Sequence, residues 1–430
     1  MTRFLYALAW LGATPFILAR LAWRARRQHG YVERVGERFG RGAAASHARR
    51  IWIHAVSVGE TRAAAPIVEA LRERHPGHRI LLTHMTPTGW ATGEALFGDS
   101  VDRAWLPYDY GFAVRRFIAR FRPEAGLILE TELWPRLLEE CARAGVPVVV
   151  ANGRLSERSA RRYARVPALA RWALGSLAGV AAQTESDARR FTAIGARDVA
   201  VTGNVKFDIA VPDETRALGA AFRARFGARR PIWVAGSTRE GEEALLLDAF
   251  RAHGAASGAL LVIVPRHPQR FDEVAALSAA RGFVTARRSA GTALDADTQV
   301  VVGDSMGEML AYYASADVVV MGGSLLPFGG QNLIEACAVG RTVVVGPHTY
   351  NFEEASESAI AAGAAIRVAD AGEALRTAAA LAADEARRSA MGERALAFVA
   401  AHRGAVERLL AWLEPRLGPA LAAGAERASG

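Results

Sequence analysis

The sequence predicts an α/β protein with two doubly wound parallel-sheet domains, preceded by an apolar helix. Three observations carry this. Short β-branched apolar runs alternate with amphipathic helical stretches from Arg49 onward, the pattern of parallel strands covered on both faces. The series is interrupted by a charged, alanine-rich stretch at 213–230 and then restarts. The length of 430 residues suits two domains, and 51% hydrophobic residues provide material for two cores.

The chain begins with an apolar run, residues 4–19, followed by Arg20, Arg24, Arg26 and Arg27. It is a little short of the roughly 20 residues that a membrane span needs unless Arg20 snorkels. No small-x-small cleavage site follows it, and the basic cluster lies on the wrong side for a signal peptide. Three readings stay open: a single anchor, a helix lying in the membrane surface, and a buried core helix. In both membrane readings the positive-inside rule puts the globular part on the cytoplasmic side.

The first series of strands is expected at 51–55, 79–83, 101–107, 126–130, 146–151, 179–183 and 199–202. The second is expected at 232–236, 259–265, 300–303, 318–321 and 342–346, with a weaker strand at 365–369. The domains are accordingly 1–27 (anchor and basic flank), 28–210 and 211–430, the last including the alanine-rich C-terminal helices. Ligands of such sheets bind beyond the carboxyl ends of the strands, so those segments hold the candidate chemistry.

After the first strand stands HAVSVGE. Its Glu60 is either a general base or an acid that complements a helix dipole. His54 reads as a hydrogen-bonded strand-end histidine. After the fourth strand comes ETELWP, where Glu130 ends an apolar run and therefore needs a partner. After the seventh comes TGNVKFD, with Lys206, the only lysine among 53 basic residues. A compact ammonium suits a developing negative charge, although chance also explains one lysine.

In the second half, Ser237 and Thr238 read as an N-cap with acids in the first turn, or as ligand contacts. Arg266 in VPRHPQRF is a candidate anion clamp beside His267. Gly307, Glu308 and Met309 follow another strand end. The stretch GGSLLPFGGQNLIEA places two glycine pairs before a helix opening at Gln331, Asn332 and Glu335. It is either a phosphate- or sugar-binding loop or a tight β–α turn.

A net charge of +9 is compatible with nucleic acid, an anionic membrane or anionic substrates. Acids at 130–132 and 240–243 stand in the loops that nucleic acid would have to use, which argues against that partner. Cys141 and Cys337 have neither metal-ligand spacing nor a disulfide framework, as in a reducing cytoplasm.

HAVSVGE, LILETELWP, TGNVKFD, AGSTREGEE, VPRHPQRF, VVGDSMGEM and GGSLLPFGGQNLIEA with GPHTYNF occur in this order. Together they resemble the 3-deoxy-D-manno-octulosonic acid (Kdo) transferases of lipopolysaccharide synthesis, from the apolar segment to about residue 355. That resemblance implies a GT-B fold, two Rossmann-like domains facing a cleft, acting at the cytoplasmic side of the inner membrane. It implies an inverting transfer of Kdo from CMP-Kdo to a lipid A precursor, with no metal or other cofactor. It assigns Glu60 as general base, and Glu130 and Lys206 as transition-state stabilisers. It assigns CMP contacts to Arg266, His267, Gly307, Glu308, Met309, Asn332, Leu333, Ile334 and Glu335, with Ser237 and Ser324 as further phosphate contacts. A UDP-sugar glycosyltransferase or epimerase would share the GGS loop but not ETELWP. The chain departs from the family pattern at Arg239 and at Gln331, where the family commonly has histidine.

Overall fold

The structure, a computed structural model, describes residues 2–26, 28–42, 48–254, 257–291 and 294–429, with side chains as far as residue 422. Arg27 of the basic flank lies outside the described residues. The chain forms two compact units, Met1–Asp208 with Gly404–Gly430, and Ile209–Arg403.

The first unit holds strands β1 (Arg50–His54), β2 (Arg79–His84), β3 (Asp102–Trp105), β4 (Pro123–Leu129), β5 (Val148–Gly153), β6 (Gly179–Ala182) and β7 (Val199–Val201). They form one sheet in the order β3-β2-β1-β4-β5-β6-β7, and every neighbouring pair is parallel. Continuous apolar runs fit this arrangement because helices cover both faces. Ile51 pairs with Ile80 on one side and Ala125 on the other, and all three are buried.

The second unit repeats the scheme with β8 (Ile232–Thr238), β9 (Leu260–Pro265), β10 (Thr285–Arg287), β11 (Val300–Val302), β12 (Val318–Met321), β13 (Thr342–Val345) and β14 (Ala365–Arg367). Its order is β10-β11-β9-β8-β12-β13-β14, again all parallel. The thirteen expected strands are all present. The additional one, β10, is a half-buried Thr-Ala-Arg edge strand with no apolar run to announce it.

Most of the stretch 213–230 is a helix, Asp213–Gly227, whose Phe222 and Phe226 are buried in the second unit. The last helix, Ala405–Ser429, departs from the 211–430 boundary read from the sequence, because it packs on the first unit. Leu409, Leu413, Leu417 and Leu421 recur every four residues and cover the sheet face that carries Ile51, Ile53 and Leu127. Each buried leucine stabilises that placement by about 1.5–3 kcal/mol. Asp208 accepts hydrogen bonds from the N–H groups of Gly404 (2.5 Å) and Val406 (2.6 Å), so the chain leaves the unit and re-enters it at one carboxylate.

The N-terminal helix, Thr2–Ala25, is long and apolar enough to cross a membrane. One side of it is held by the first unit. Tyr6 Oη donates to Asp109 (2.6 Å), Thr14 Oγ1 meets Tyr110 Oη (2.6 Å), and the Trp10 ring packs against Tyr110 and Trp134. The reading as a buried core helix does not hold. Phe4, Leu8, Leu11 and Phe16 on its other side are exposed, and of the helix only Leu21 is buried among the described residues.

Candidate functional site

Sheet order reverses between β1 and β4 in the first unit and between β8 and β12 in the second. Open parallel sheets hold ligands at such switch points. Glu60 follows β1 and Glu130 follows β4, so both belong to the first of them.

Ser57 is the N-cap of the helix Val58–Arg74, and Glu60 lies in its first turn. The usual capping geometry is altered: the Ser57 hydroxyl donates to Glu60 Oε1 (3.0 Å), and Val56 N–H donates to Oε2 (2.8 Å). The carboxylate is therefore fixed in orientation. Burial, and next the charge of Glu130, push its pKa up to about 7, against the pull of those two donors. A half-buried carboxylate poised near neutrality has the property a general base needs.

Glu130 has found the partner its apolar context demanded, with Lys206 Nζ 2.8 Å from its Oε1. Burial alone would raise the Glu130 pKa, but Lys206 outweighs burial and holds it below the ordinary glutamate value. Two carboxylates are thus driven apart in protonation behaviour, one towards neutrality and one kept ionised. Lys206 is held by the 3-10 turn Val205–Phe207, where Asn204 Oδ1 accepts the Lys206 N–H (3.0 Å). Asn152 Oδ1 accepts the Val205 N–H (3.1 Å) and so ties that turn to the end of β5.

Five non-glycine residues among those described have positive φ, and Glu130 (58°), Asn152 (53°) and Ser237 (57°) are three of them. All lie at carboxyl ends of strands, where strain of this kind marks functional positions. Asn152 and Ser237 coincide with register shifts in β5 and β8.

Glu60, Glu130, Glu132, Arg154, Ser159 and Tyr163 line a cavity of about 220 Å³ in the first unit. Arg154, Ser159 and Tyr163 were not singled out by sequence reasoning. Ser159 and Tyr163 follow β5 within SERSARRYAR, which reads as a solvated basic helix, and Arg154 stands in the short loop just before it. His54 behaves as expected of a strand-end histidine: it is fully buried, hydrogen-bonded to Thr83, and pushed down to about 3 by burial.

In the second unit the expected N-cap moves. Ser237 and Thr238 lie within β8, and the following helix, Glu242–His253, starts after Gly241 in the left-handed region. Thr238 instead donates to Glu243 (2.8 Å), which is also paired with Arg270 (2.5 Å). Glu242, missed by sequence reasoning, organises the glycine-rich stretch. Its carboxylate accepts N–H groups from Arg239 (2.8 Å), Gly323 (2.6 Å), Leu325 (2.9 Å) and Leu326 (3.3 Å). Burial raises its pKa, and these donors pull it back. Glu242→Ala orphans these donors, at about 1–3 kcal/mol for each one left buried. Urea unfolding is expected to show a loss of at least about 3 kcal/mol; an unchanged midpoint and slope overturn this role.

The glycine-rich stretch serves packing more than ligand approach. A Cβ on Gly322 would come within 2.4 Å of the Ser237 carbonyl oxygen, and Gly329 needs φ of 93° beside Asn351. GPHTYNF folds back onto the loop: Tyr350 Oη donates to Pro327 O (2.6 Å) and Asn351 Nδ2 to Phe328 O (2.8 Å). The helix expected at Gln331 is only Ile334–Ala338. The Asn332 side chain caps it, accepting the Ile334 N–H (3.2 Å) and donating to Glu335 (3.1 Å). Leu333 and Ile334 are fully buried, so only their main chain could meet a ligand. Ser324 is a correction: it is fully buried, donates to Met321 O and accepts the Gly346 N–H (2.8 Å), so its hydroxyl is not available to a phosphate.

The remaining candidates form two groups. Ser237 hydrogen-bonds the buried Tyr313 hydroxyl, and the charges of Glu335 and Arg266 act on it. His267 is lowered by partial burial and then by Arg239, Arg266 and Arg270, a cationic corner suited to an anion. Arg239, the departure from the family pattern, lies 4.6 Å over the Phe328 ring. Gly307 has φ of 82°, and Glu308, next to Met309, is engaged by Arg288 (3.0 Å) and Ser305.

A family profile described as 3-Deoxy-D-manno-octulosonic-acid transferase (kdotransferase) matches residues 33–209. The chain is 48% identical to a 3-deoxy-D-manno-octulosonic acid transferase of Bordetella pertussis, over 97% of this chain and 100% of the relative. It is 36% identical to the Haemophilus influenzae protein of the same description, over 97% and 99%. A glycosyltransferase from Rickettsia africae shares the fold, with a TM-score of 0.59 at 12% identity over 86% of this chain and 98% of that one.

Proposed function

This chain belongs to the 3-deoxy-D-manno-octulosonic acid transferase family, and on that premise we propose that it transfers Kdo from CMP-Kdo to a lipid A precursor, lipid IVA, with inversion at the transferred carbon. The observation that carries the mechanism is the held Glu60 carboxylate, with a pKa near 7, beside the Glu130–Lys206 pair.

Glu60 removes the proton from the attacking acceptor hydroxyl as that oxygen bonds to the donor carbon. CMP leaves as its bond to that carbon breaks. Lys206, fixed by Glu130, places a compact positive charge near the Kdo carboxylate as charge develops. The second unit binds the nucleotide: Arg266 and His267 at the phosphate, with Ser237 adjacent, and Gly307 to Met309 and Asn332 to Glu335 around the rest of CMP. The proposed reaction uses no metal ion, and the acceptor is a lipid, not a nucleic acid. Incubation with CMP-Kdo and a tetraacylated lipid A precursor is expected to release CMP and raise the acceptor mass by Kdo units. Release of CMP without any acceptor product would refute the proposal.

We place the enzyme on the cytoplasmic face of the inner membrane. The N-terminal helix presents Phe4, Leu8, Leu11 and Phe16 outward while Tyr6, Trp10 and Thr14 stay engaged with the domain, which favours lying in the membrane surface. The triple substitution Leu8→Ser, Leu11→Ser, Phe16→Ser is expected to release the protein from anionic vesicles in a flotation assay without lowering Tm. Continued flotation identifies another anchoring surface.

A further inference from the structure

A second cavity, of about 320 Å³, adjoins the acidic one. The two share Thr131, Glu132 and Tyr163, so they adjoin across these three residues in the first unit. The chemistry differs between them. The first is walled by carboxylates, Arg154 and serines, the second by Tyr6, Leu133, Trp134, Leu169, Ala170 and Ala173. Three separate elements supply those apolar walls: the N-terminal helix, the 131–135 loop and the helix Pro167–Leu174.

The walls are preorganised. Asp109 is buried, and it accepts the Tyr6 hydroxyl (2.6 Å) together with the N–H groups of Arg136 (3.0 Å) and Leu137 (2.7 Å). One carboxylate thus staples the apolar helix to the first turn of the helix Pro135–Arg143, which directly follows the loop that carries Glu132 and Trp134. The Tyr6 ring is further packed edge-on against Trp172 (5.4 Å). Arg154 lines the acidic cavity. Around the two adjoining cavities the fold therefore gathers Glu60, a cation and an apolar slot that includes the apolar helix.

We propose that this slot holds one acyl chain of the lipid acceptor and so sets the acceptor hydroxyl against Glu60. The assignment rests on the acceptor proposed above. The occupant is an acyl chain because the slot adjoins the acid-lined cavity and is walled in part by the helix whose outer face is apolar. A sugar would leave hydroxyls without partners against Leu133, Leu169 and Ala173, whereas methylenes gain there by leaving water.

The test compares acceptors and one pair of variants. For the unaltered enzyme, KM for a tetraacylated precursor is expected to be at least about tenfold below KM for the same phosphorylated disaccharide with its acyl chains removed, the scale at which apolar pockets discriminate. Leu169→Trp, which fills the slot, is expected to raise KM for the acylated acceptor about tenfold, leaving KM for CMP-Kdo and transfer to the deacylated acceptor unchanged. Leu169→Ala, which widens it, should shift preference towards longer chains; this variant serves if the tryptophan disturbs folding. Equal KM values for the acylated and deacylated acceptors, or equal losses on both in Leu169→Trp, overturn the slot while leaving Kdo transfer intact. Transfer to neither acceptor overturns the functional reading itself.

Discussion

Glu60→Gln is expected to lower transfer about 10²–10⁴-fold, the usual contribution of a general base, while CMP-Kdo binding is retained. The amide keeps the shape and can still accept the Val56 N–H, and Ser57 can rotate to accept from it, so the local fold should survive. For the unaltered enzyme, kcat/KM is expected to fall about tenfold per unit as pH drops below about 7, where Glu60 gains its proton. Glu130→Gln removes the charge that, after burial, most raises the Glu60 pKa, so this acid limb should move to lower pH.

Stability gives an independent check with a defined sign. The folded-state pKa of Glu60, about 7, lies above its ordinary value of 4.5, so the native state holds this proton more tightly than the unfolded chain does. The associated stabilisation is present below about pH 4.5 and is lost as pH rises through 7. Above that, ionised Glu60 destabilises the fold by on the order of 3 kcal/mol at most. Glu60→Gln should therefore have a higher Tm than the unaltered protein at pH 8, with the gap closing towards pH 4. A variant that transfers at normal rate, or whose Tm difference does not depend on pH, removes Glu60 from the role of base.

Lys206→Arg is the second large effect, because it keeps the charge and changes only its shape. The ammonium makes one 2.8 Å contact to Glu130 from a constrained 3-10 turn, and a planar guanidinium cannot reproduce that point contact in the same space. A loss of at least about tenfold in kcat is expected, and about 10²–10³-fold for Lys206→Met, the scale for removing one stabilising group from a developing charge. Lys206→Met also strands the largely buried Glu130, but roughly a fifth of each side chain is exposed (17% and 25%), so the stability loss should stay within about 3 kcal/mol. Full activity in Lys206→Arg means that the only lysine of this arginine-rich chain stands there by chance.

Strand positions, the parallel character of both sheets and the demand of Glu130 for a partner were legible because each is written in neighbouring residues. An apolar run ending in a carboxylate implies a partner nearby, but that the partner is Lys206 is visible only in the structure. Glu242 escaped because its four N–H donors come from Arg239 and from a loop more than 80 positions away. Ser159 and Tyr163 escaped because a basic helix that lines a cavity has the same composition as one that faces solvent, and Arg154 because it stands alone in the short loop before that helix. Ser324 was misplaced for the opposite reason: a serine in a glycine-rich loop looks available, and only packing shows its hydroxyl consumed by Met321 and Gly346.

By itself the sequence determined that this protein has two doubly wound sheets, an apolar N-terminal helix, and candidate acids and a lysine after particular strands, because periodicity and strand ends are local properties. Only the tertiary structure decided that Glu60 is raised and Glu130 lowered, that the last helix returns to the first unit, and that the glycine-rich stretch is a loop braced by Glu242. Those outcomes depend on burial and on distances between residues far apart in the chain, and desolvation and Coulomb energy are set by that arrangement rather than by the order of the residues.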